Sequence, residues 1–516
     1  MLPPAAPILE LGGERPVTPH QVVAAARGDH AIRLHPDALA RIAAAHTALL
    51  RAVATGAPIY GVTTGLGAVA DTSLGPDDAD VQRRIVLTRA VGVGPVAGDV
   101  QVRAMMIARL AGFAVGTSGA SPSTVRGYQA VLNAGIRPVV PLLGSLGEGD
   151  LAPLAHIGSV LLGEGTARLA GQLLPGGEAL AQAGLSVPRL QGRDGLAMVS
   201  SSAACSGLGA LLIADIERVF SALAAAAALS FEAQRANLSP LRPEVAALHP
   251  VPGQVAIAAE MLRLLQGGSF DQSGGARRLH DPLSFRCAPA VLGSALAAIQ
   301  AADRAVATEL AWSDDNPAVL ATSGEIVGTA SFDTTHLALA FEALGLALSR
   351  VAVLTGARIM QLMSAETTGL PRFLTPRHGG RSGLAPLQKT VAALVAAIAR
   401  DAQPVPACVL AVADGIEDYA GMAMAVVCKT ASIVEALGLL AACELVTAAQ
   451  AIDLRMAGEY VRLGIGTAVH HAAVRALVAG IDEDRSVAGD LETLATAIRD
   501  GLFQDVLDRL FPAAAP

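Results

Sequence analysis

Two glycine-flanked stretches put acid/base side chains where a pliable backbone could bring them onto a ligand. Tyr60 opens Tyr60-Gly61-Val62-Thr63-Thr64-Gly65-Leu66-Gly67 and is one of only four tyrosines in 516 residues. Glycine gives such a loop the freedom to close over a bound molecule. A phenol titrates far above neutrality unless perturbed, so Tyr60 needs a neighbouring cation or hydrogen-bond donor to serve as a base. The alternative is a tyrosine that fills a gap between loop and core. Glu148 sits in Gly147-Glu148-Gly149-Asp150. Asp150 reads as the N-cap of a helix running through Pro153 and Leu154, and the positive end of that helix favours an ionised Glu148. Such a group is a base, a cation partner or a gate before it is an acid. Its alternative is to plug space and satisfy backbone N–H groups.

The elements that must hold these residues are mostly helices. Hydrophobic residues make up 52% of the chain and charged ones 16%, so much surface has to be buried. Ala203 to Ala233, Ala290 to Leu310, His336 to Met363 and Thr430 to Met456 read as long helices, several apolar almost all round. Polar interruptions such as Asp215, Glu217, Arg218, Glu342 and Arg350 favour the core of a large helical oligomer over membrane spans. Strand signals are short, around Pro58 to Tyr60 and Glu325 to Val327. The expected class is mainly α: a long-helix bundle with a loop-rich N-terminal region. Its expected divisions are a site-bearing region at 1–202, a central bundle at 203–480 and a helical tail at 481–516.

Composition bounds the partners. The first thirty residues lack a basic start followed by a sustained apolar core, so no secretory signal and a cytoplasmic location are expected. Five cysteines, Cys205, Cys287, Cys408, Cys428 and Cys443, lack paired spacing and read as reduced thiols. No Cys/His cluster has metal-ligand spacing, and His470-His471 is a solitary pair. A formal charge of −8 without a basic stripe gives no reason to expect nucleic acid, and no membrane partner is expected.

The motif order resembles that of the aromatic amino acid ammonia-lyases and aminomutases, the histidine and phenylalanine ammonia-lyase family. The Tyr60 loop resembles Tyr-Gly-Val-Asn-Thr-Gly-Phe-Gly. The segment Gln82 to Gly94 resembles the one that follows, and Val102 to Val139 leads into Gly144-Ser145-Leu146-Gly147-Glu148-Gly149-Asp150-Leu151-Ala152-Pro153-Leu154. His249-Pro250-Val251-Pro252-Gly253-Gln254 is similar to a His-Pro-Gly-Gln element with residues inserted. His280-Asp281-Pro282-Leu283-Ser284-Phe285-Arg286-Cys287 resembles Gln-Asp-Pro-Tyr-Ser-Leu-Arg-Cys. Asp315-Asn316-Pro317 matches Asp-Asn-Pro, and Gly415-Ile416-Glu417-Asp418 resembles Gly-Gln-Glu-Asp. The resemblance implies a homotetramer with active sites built from more than one subunit. It also implies Tyr60 as catalytic base, Arg286 as the carboxylate clamp and Glu417 as an active-site glutamate. An Arg286 salt bridge to Asp281 or to a subunit neighbour, and a buried Glu417 ion pair between helices, are the structural alternatives.

The departures fall on the family's chemistry. There, Ala-Ser-Gly lies between the two flanks of the Glu148 segment and condenses into methylidene-imidazolone, an electrophile made by dehydrating the serine. Here Glu148 and Gly149 stand for three residues, and a glutamate has no β-hydroxyl to eliminate. No cofactor is therefore expected, and conventional ammonia elimination is improbable. The supporting Asn-Gly-Thr reads Ser200-Ser201-Ser202, the Ser-His pair reads Thr88-Arg89, and Asn-Phe-His reads Ser331-Phe332-Asp333. Arg89 could pair with Glu148, contact a second anion or be structural. Tyr60, Glu148 and Glu417 are thus the candidate catalytic residues, with Arg286, Arg89, Ser200, His280 and Phe332 binding substrate. The expected activity is elimination, addition, isomerisation or cyclisation of a small carboxylate without the prosthetic group. A silent homologue that binds ligand or assembles with a relative, and a true ammonia-lyase, are the alternatives.

Overall fold

The computed structural model describes residues 7–74, 80–271, 275–376, 380–406 and 410–512. It is mainly helical, as expected. Four long helices dominate: Ala203–Gln234, Ala288–Ala311, Thr335–Leu362 and Ala423–Gly458. The last begins at Ala423 rather than Thr430, because Ala423, Met424, Val426 and Val427 are buried and extend the apolar run. All four are long and apolar enough to cross a membrane by length and composition alone.

The chain divides into two compact units interleaved in sequence: residues 1–213, 302–340 and 405–428 form the first, and 214–301, 341–404 and 429–516 the second. All but the division between 404 and 405 fall within the four long helices, so both units take a share of each of these.

In the first unit, strand Ile8–Leu11 pairs in parallel with Ala31–Leu34 across the helix Pro19–Arg27. Thr18 caps that helix reciprocally: its Oγ1 accepts from Gln21 N–H at 3.2 Å while Gln21 Oε1 accepts from Thr18 N–H at 2.9 Å. The helix Asp99–Val115 is buried along most of its length. Its fully buried Arg109 donates to Ala197 O at 2.6 Å, to Asp314 Oδ1 at 3.3 Å and to Asp315 Oδ1 at 3.1 Å. A buried guanidinium left unpaired would be strongly destabilising, so this hub pins 197–202 to 314–315. Strand Glu325–Val327 forms as expected and pairs with Ala318–Leu320. Pro58–Tyr60 is instead the entry to a turn, because Ile59 O accepts the N–H groups of Val62, Thr63 and Thr64 and leaves no edge for a strand partner.

In the second unit, Arg358 and Glu444 form a fully buried ion pair at 2.7 Å, and Ser230 Oγ donates to Glu444 Oε1 at 2.7 Å. Losing one partner of such a pair costs ~3–5 kcal/mol. The tail forms helices Ala488–Arg499 and Gln504–Leu510. Arg509 Nε donates to Glu260 at 2.8 Å, and His470 meets Asp505 at 3.0 Å, which docks the last helix. Cys205, Cys287, Cys428 and Cys443 are free thiols, and Cys408 lies outside the described residues.

Candidate active site

The Tyr60 loop is shaped by backbone bonds and by one enforced close approach. Gly61 has φ +69°, and a Cβ there would lie 2.5 Å from Leu196 Cδ2, so only glycine fits. Gln82 ties the loop to the segment before Ser200: its Nε2 donates to Gly61 O at 2.8 Å, and its Oε1 accepts from Leu196 N–H at 3.2 Å. The phenol oxygen of Tyr60 accepts the Gly67 N–H at 3.0 Å. Glu417 reaches the same place, with Oε1 3.7 Å from where a Cβ on Gly67 would stand. Arg89 lies within Coulombic reach of both Tyr60 and Glu417. Burial lowers its guanidinium from the usual range while those two groups oppose the change. The phenol oxygen of Tyr60 thus has a backbone donor, and Arg89 is the cation that bears on it.

A second group of residues surrounds Glu148. Its loop is tied on several sides: Met422 N–H donates to Leu146 O at 2.8 Å, Thr334 Oγ1 donates to Gly147 O, and Ser201 N–H donates to Gly149 O at 3.2 Å. A Cβ on Gly147, at φ +83°, would stand 2.6 Å from Ala423 N, so the approach of 422–423 depends on this glycine. Glu148 Oε1 accepts from Gly421 N–H at 2.8 Å, and an isolated antiparallel bridge joins the backbones of Glu148 and Asp333. The half-buried Phe332 and Ser200 flank Gly149, with Ser200 Oγ 3.5 Å and Phe332 Cβ 3.9 Å from the position of a Cβ there.

Two expectations about this loop are corrected. Asp150 occupies the N-cap of helix Leu151–Leu161 at φ 30° but makes no capping bond. Its carboxylate is taken by Ser145 Oγ at 2.6 Å and by Cys205 N–H and Sγ at 2.7 and 2.9 Å. Glu148 is not held ionised by the helix end. Burial pushes its carboxyl up to about 7, Gly421 N–H opposes that, and Asp333 and Asp150 add to it. Arg89 does not offset the shift: Tyr60 and Glu417 are the groups that bear on it, and it is not among those that bear on Glu148.

Tyr60, Arg89, Glu148, Ser200, Phe332 and Glu417 all belong to the first unit; His280 and Arg286 belong to the second, where both are exposed. Asp281 does not anchor Arg286, since its Oδ2 accepts from Asn237 N–H at 2.6 Å. Glu417 is exposed in a short loop, not buried between helices.

A model of the aromatic amino acid lyase family matches residues 17–476. The chain belongs to that family. A histidine ammonia-lyase of Anaeromyxobacter sp. (strain K) is 36% identical over 505 residues, spanning 96% of this chain and 99% of the relative. Among solved structures, the ergothioneine-degrading ergothionase of Treponema denticola superposes with a TM-score of 0.91 at 30% identity, covering 96% of this chain and 99% of that one. The phenylalanine aminomutase of Pantoea agglomerans gives 0.90 at 27% identity, with coverage of 96% and 99%.

In this lyase family member, sequence reasoning passed over three residues beside the predicted set. Asp333 was visible in Ser331-Phe332-Asp333 as an acid standing for a histidine, a second new acid besides Glu148. Tyr419 was visible as one of four tyrosines. Glu309 carries no local signal: it is a helical residue whose carboxyl accepts from Ser202 Oγ at 2.8 Å and is pushed by burial up to about 7.

The raised Glu148 carboxyl has a thermodynamic consequence. The folded protein retains a proton that the unfolded chain, with its ordinary value of 4.5, releases between about pH 4.5 and 7. Glu148 therefore subtracts stability as pH rises through that window. Melting temperatures of wild type and Glu148→Gln should diverge in favour of the variant from pH 4.5 to 7 and then run parallel. A difference constant over that range would contradict the assignment.

Proposed function

We propose that the chain is a lyase that works without methylidene-imidazolone. It would eliminate an amine from a small carboxylate whose nitrogen leaves without electrophilic help. The observation that carries this reading is Glu148 in the place of the dehydrating serine. The residues present do not fit the prosthetic group, because Glu148 offers no β-hydroxyl, and its carboxyl is engaged by Gly421 N–H. No step is therefore routed through that group.

The acid/base half of the site supports elimination. Tyr60 takes the proton from the carbon β to the carboxylate, the C–H pair becomes the C=C bond, and the C–N pair departs on nitrogen as a neutral amine. The family resemblance assigns Arg286 to the substrate carboxylate, a task that suits a planar bidentate donor. A primary ammonium beside a base can lose its own proton and become a poor leaving group. A quaternary nitrogen has no N–H to lose, and the carboxyls of Glu148, Asp333 and Glu417 favour a permanent cation. An ergothioneine-type betaine, the kind of substrate that the solved ergothionase degrades, meets both demands. The second reading, release of ammonia from an amino acid, is supported by the histidine ammonia-lyase relatives.

Self-association completes the proposal. Leu339, Leu346 and Val353 recur every seven residues on the helix Thr335–Leu362 and are 64%, 42% and 51% exposed. An exposed apolar stripe of this spacing calls for a helical partner, and a homotetramer supplies one. Light scattering coupled to gel filtration should report four chains, and a monomer would contradict the assignment.

Amine release and the absorbance of an unsaturated product should appear with betaines of aromatic or heteroaromatic amino acids and not with histidine, phenylalanine or tyrosine. Tyr60→Phe should lower kcat by roughly 10²–10⁴-fold with little change in binding, whereas Arg286→Ala should weaken binding as well. Normal turnover by Tyr60→Phe would remove the phenol from the mechanism. Ammonia release from the free amino acids would favour the second reading.

A further inference from the structure

Arg103 and Arg137 lie in the first unit, apart from the residues of the candidate active site, and line one cavity of about 260 Å³ with Asp29, His30 and Asn133. Both arginines are buried: the side chain of Arg103, on the helix Asp99–Val115, is 3% exposed, and that of Arg137 is 11% exposed. Part of their donor capacity goes to the carboxyl ends of two helices. Arg103 Nε donates to Ala25 O at 3.1 Å, its Nη1 to Leu132 O at 3.3 Å and its Nη2 to His30 O. Arg137 Nη1 donates to Leu132 O at 3.4 Å and to Ile136 O at 3.5 Å. A guanidinium carries more N–H groups than these bonds use. Asp29 is the one acid among the described residues that line the cavity. Its Oδ1 accepts from Arg137 Nη2 at 2.8 Å and lies 3.5 Å from Arg103 Nε, so a single carboxylate oxygen answers two cations. The Asp29 side chain is nevertheless 75% exposed. The wall beside it stands without Asp29, because Asn133 Oδ1 accepts from Ile32 N–H at 2.9 Å and Asn133 Nδ2 donates to Ile32 O at 2.8 Å.

We propose that this cavity is a phosphate-binding site, in which Arg103 and Arg137 hold the anion and the Asp29 carboxylate stands in its place when the anion is absent. The proposal is independent of the reaction argued above. Burial and then the Arg137 charge weaken Arg103's hold on its proton, and Asp29 opposes them, so two cations at one cavity call for a counter-ion. Asp29 marks where an anionic oxygen sits between them. Because that carboxylate is exposed, its ion pairs are weak and screened, and a stronger anion in solution can displace it. Once it swings away, two positive charges face the cavity. A phosphate group carries roughly −1.5 to −2 near neutrality and matches them, which a lone carboxylate does not. Its several oxygens also serve two guanidinium forks at once. The cavity falls below the ~300–1,000 Å³ usual for drug-sized ligands, so the free ion or a small phosphomonoester is the class that fits.

Calorimetry of the full-length protein with inorganic phosphate at constant ionic strength tests the site. Asp29→Asn removes the competing charge at an exposed position, so it should bind phosphate at least about tenfold more tightly than wild type. Arg137→Gln should bind it at least about tenfold more weakly than wild type. If the arginines only cap helix ends, Asp29→Asn gains nothing, and an unchanged or lower affinity in that variant would overturn the proposal. Unchanged affinity in Arg137→Gln would place the phosphate elsewhere on the chain and overturn it as well. Acetate should bind Asp29→Asn more weakly than phosphate does; equal affinity would overturn phosphate as the ligand class. Glycerol phosphate, measured alongside, separates the two sources: tighter binding than inorganic phosphate supports a phosphomonoester, and weaker binding supports the free ion.

Discussion

The hydrogen bond from Gly421 N–H to Glu148 joins segments far apart in sequence at one point. The loop 144–150 is rich in glycine with left-handed backbone and would have no single shape by itself. It acquires one because Met422 N–H binds Leu146 O, Thr334 binds Gly147 O, Ser201 N–H binds Gly149 O and Cys205 holds Asp150. The Arg109 hub behind it fixes 197–202 and 314–315, from which Ser201 and Ser202 reach Asp314 at 2.5 and 2.8 Å. The buried guanidinium and its acids thus hold the frame, and the Glu148 contact sets what that frame presents.

The long helices were legible because apolar residues dominate them over many turns despite a few polar interruptions, and their observed ends lie within a few residues of expectation except for the earlier start at Ala423. Glu325–Val327 was legible as a short strand; Pro58–Tyr60 looked like one and is a turn, because three N–H groups converge on Ile59 O. The neighbourhood of Tyr60 with Glu417 followed from motif order. The protonation of Glu148 did not. Local sequence shows a helix start beside it, whereas the dominant effects are burial and the charge of Asp333, which arrives from a distant segment. Arg89 could be placed near the site from its motif, but its choice of Tyr60 and Glu417 over Glu148 is a matter of tertiary packing.

We propose that this centre has exchanged one kind of chemistry for another. Where the resembled family is expected to carry an electrophile made from serine, this chain places Glu148, whose carboxyl burial pushes up to about 7. The phenol of Tyr60, which accepts the Gly67 N–H, is the base of the proposed elimination, with Arg89 and Glu417 around it. A site without an electrophile lends little to the departure of a poor leaving group.

The claim on which this account rests is that the Gly147-Glu148-Gly149 backbone stays uncyclised. Intact-mass spectrometry of the purified protein, with peptide mapping across residues 144–154, tests it directly. The account predicts the mass of the encoded chain and an ordinary peptide through Glu148. A mass short by two waters, localised to that peptide and accompanied by new near-ultraviolet absorbance, would contradict it.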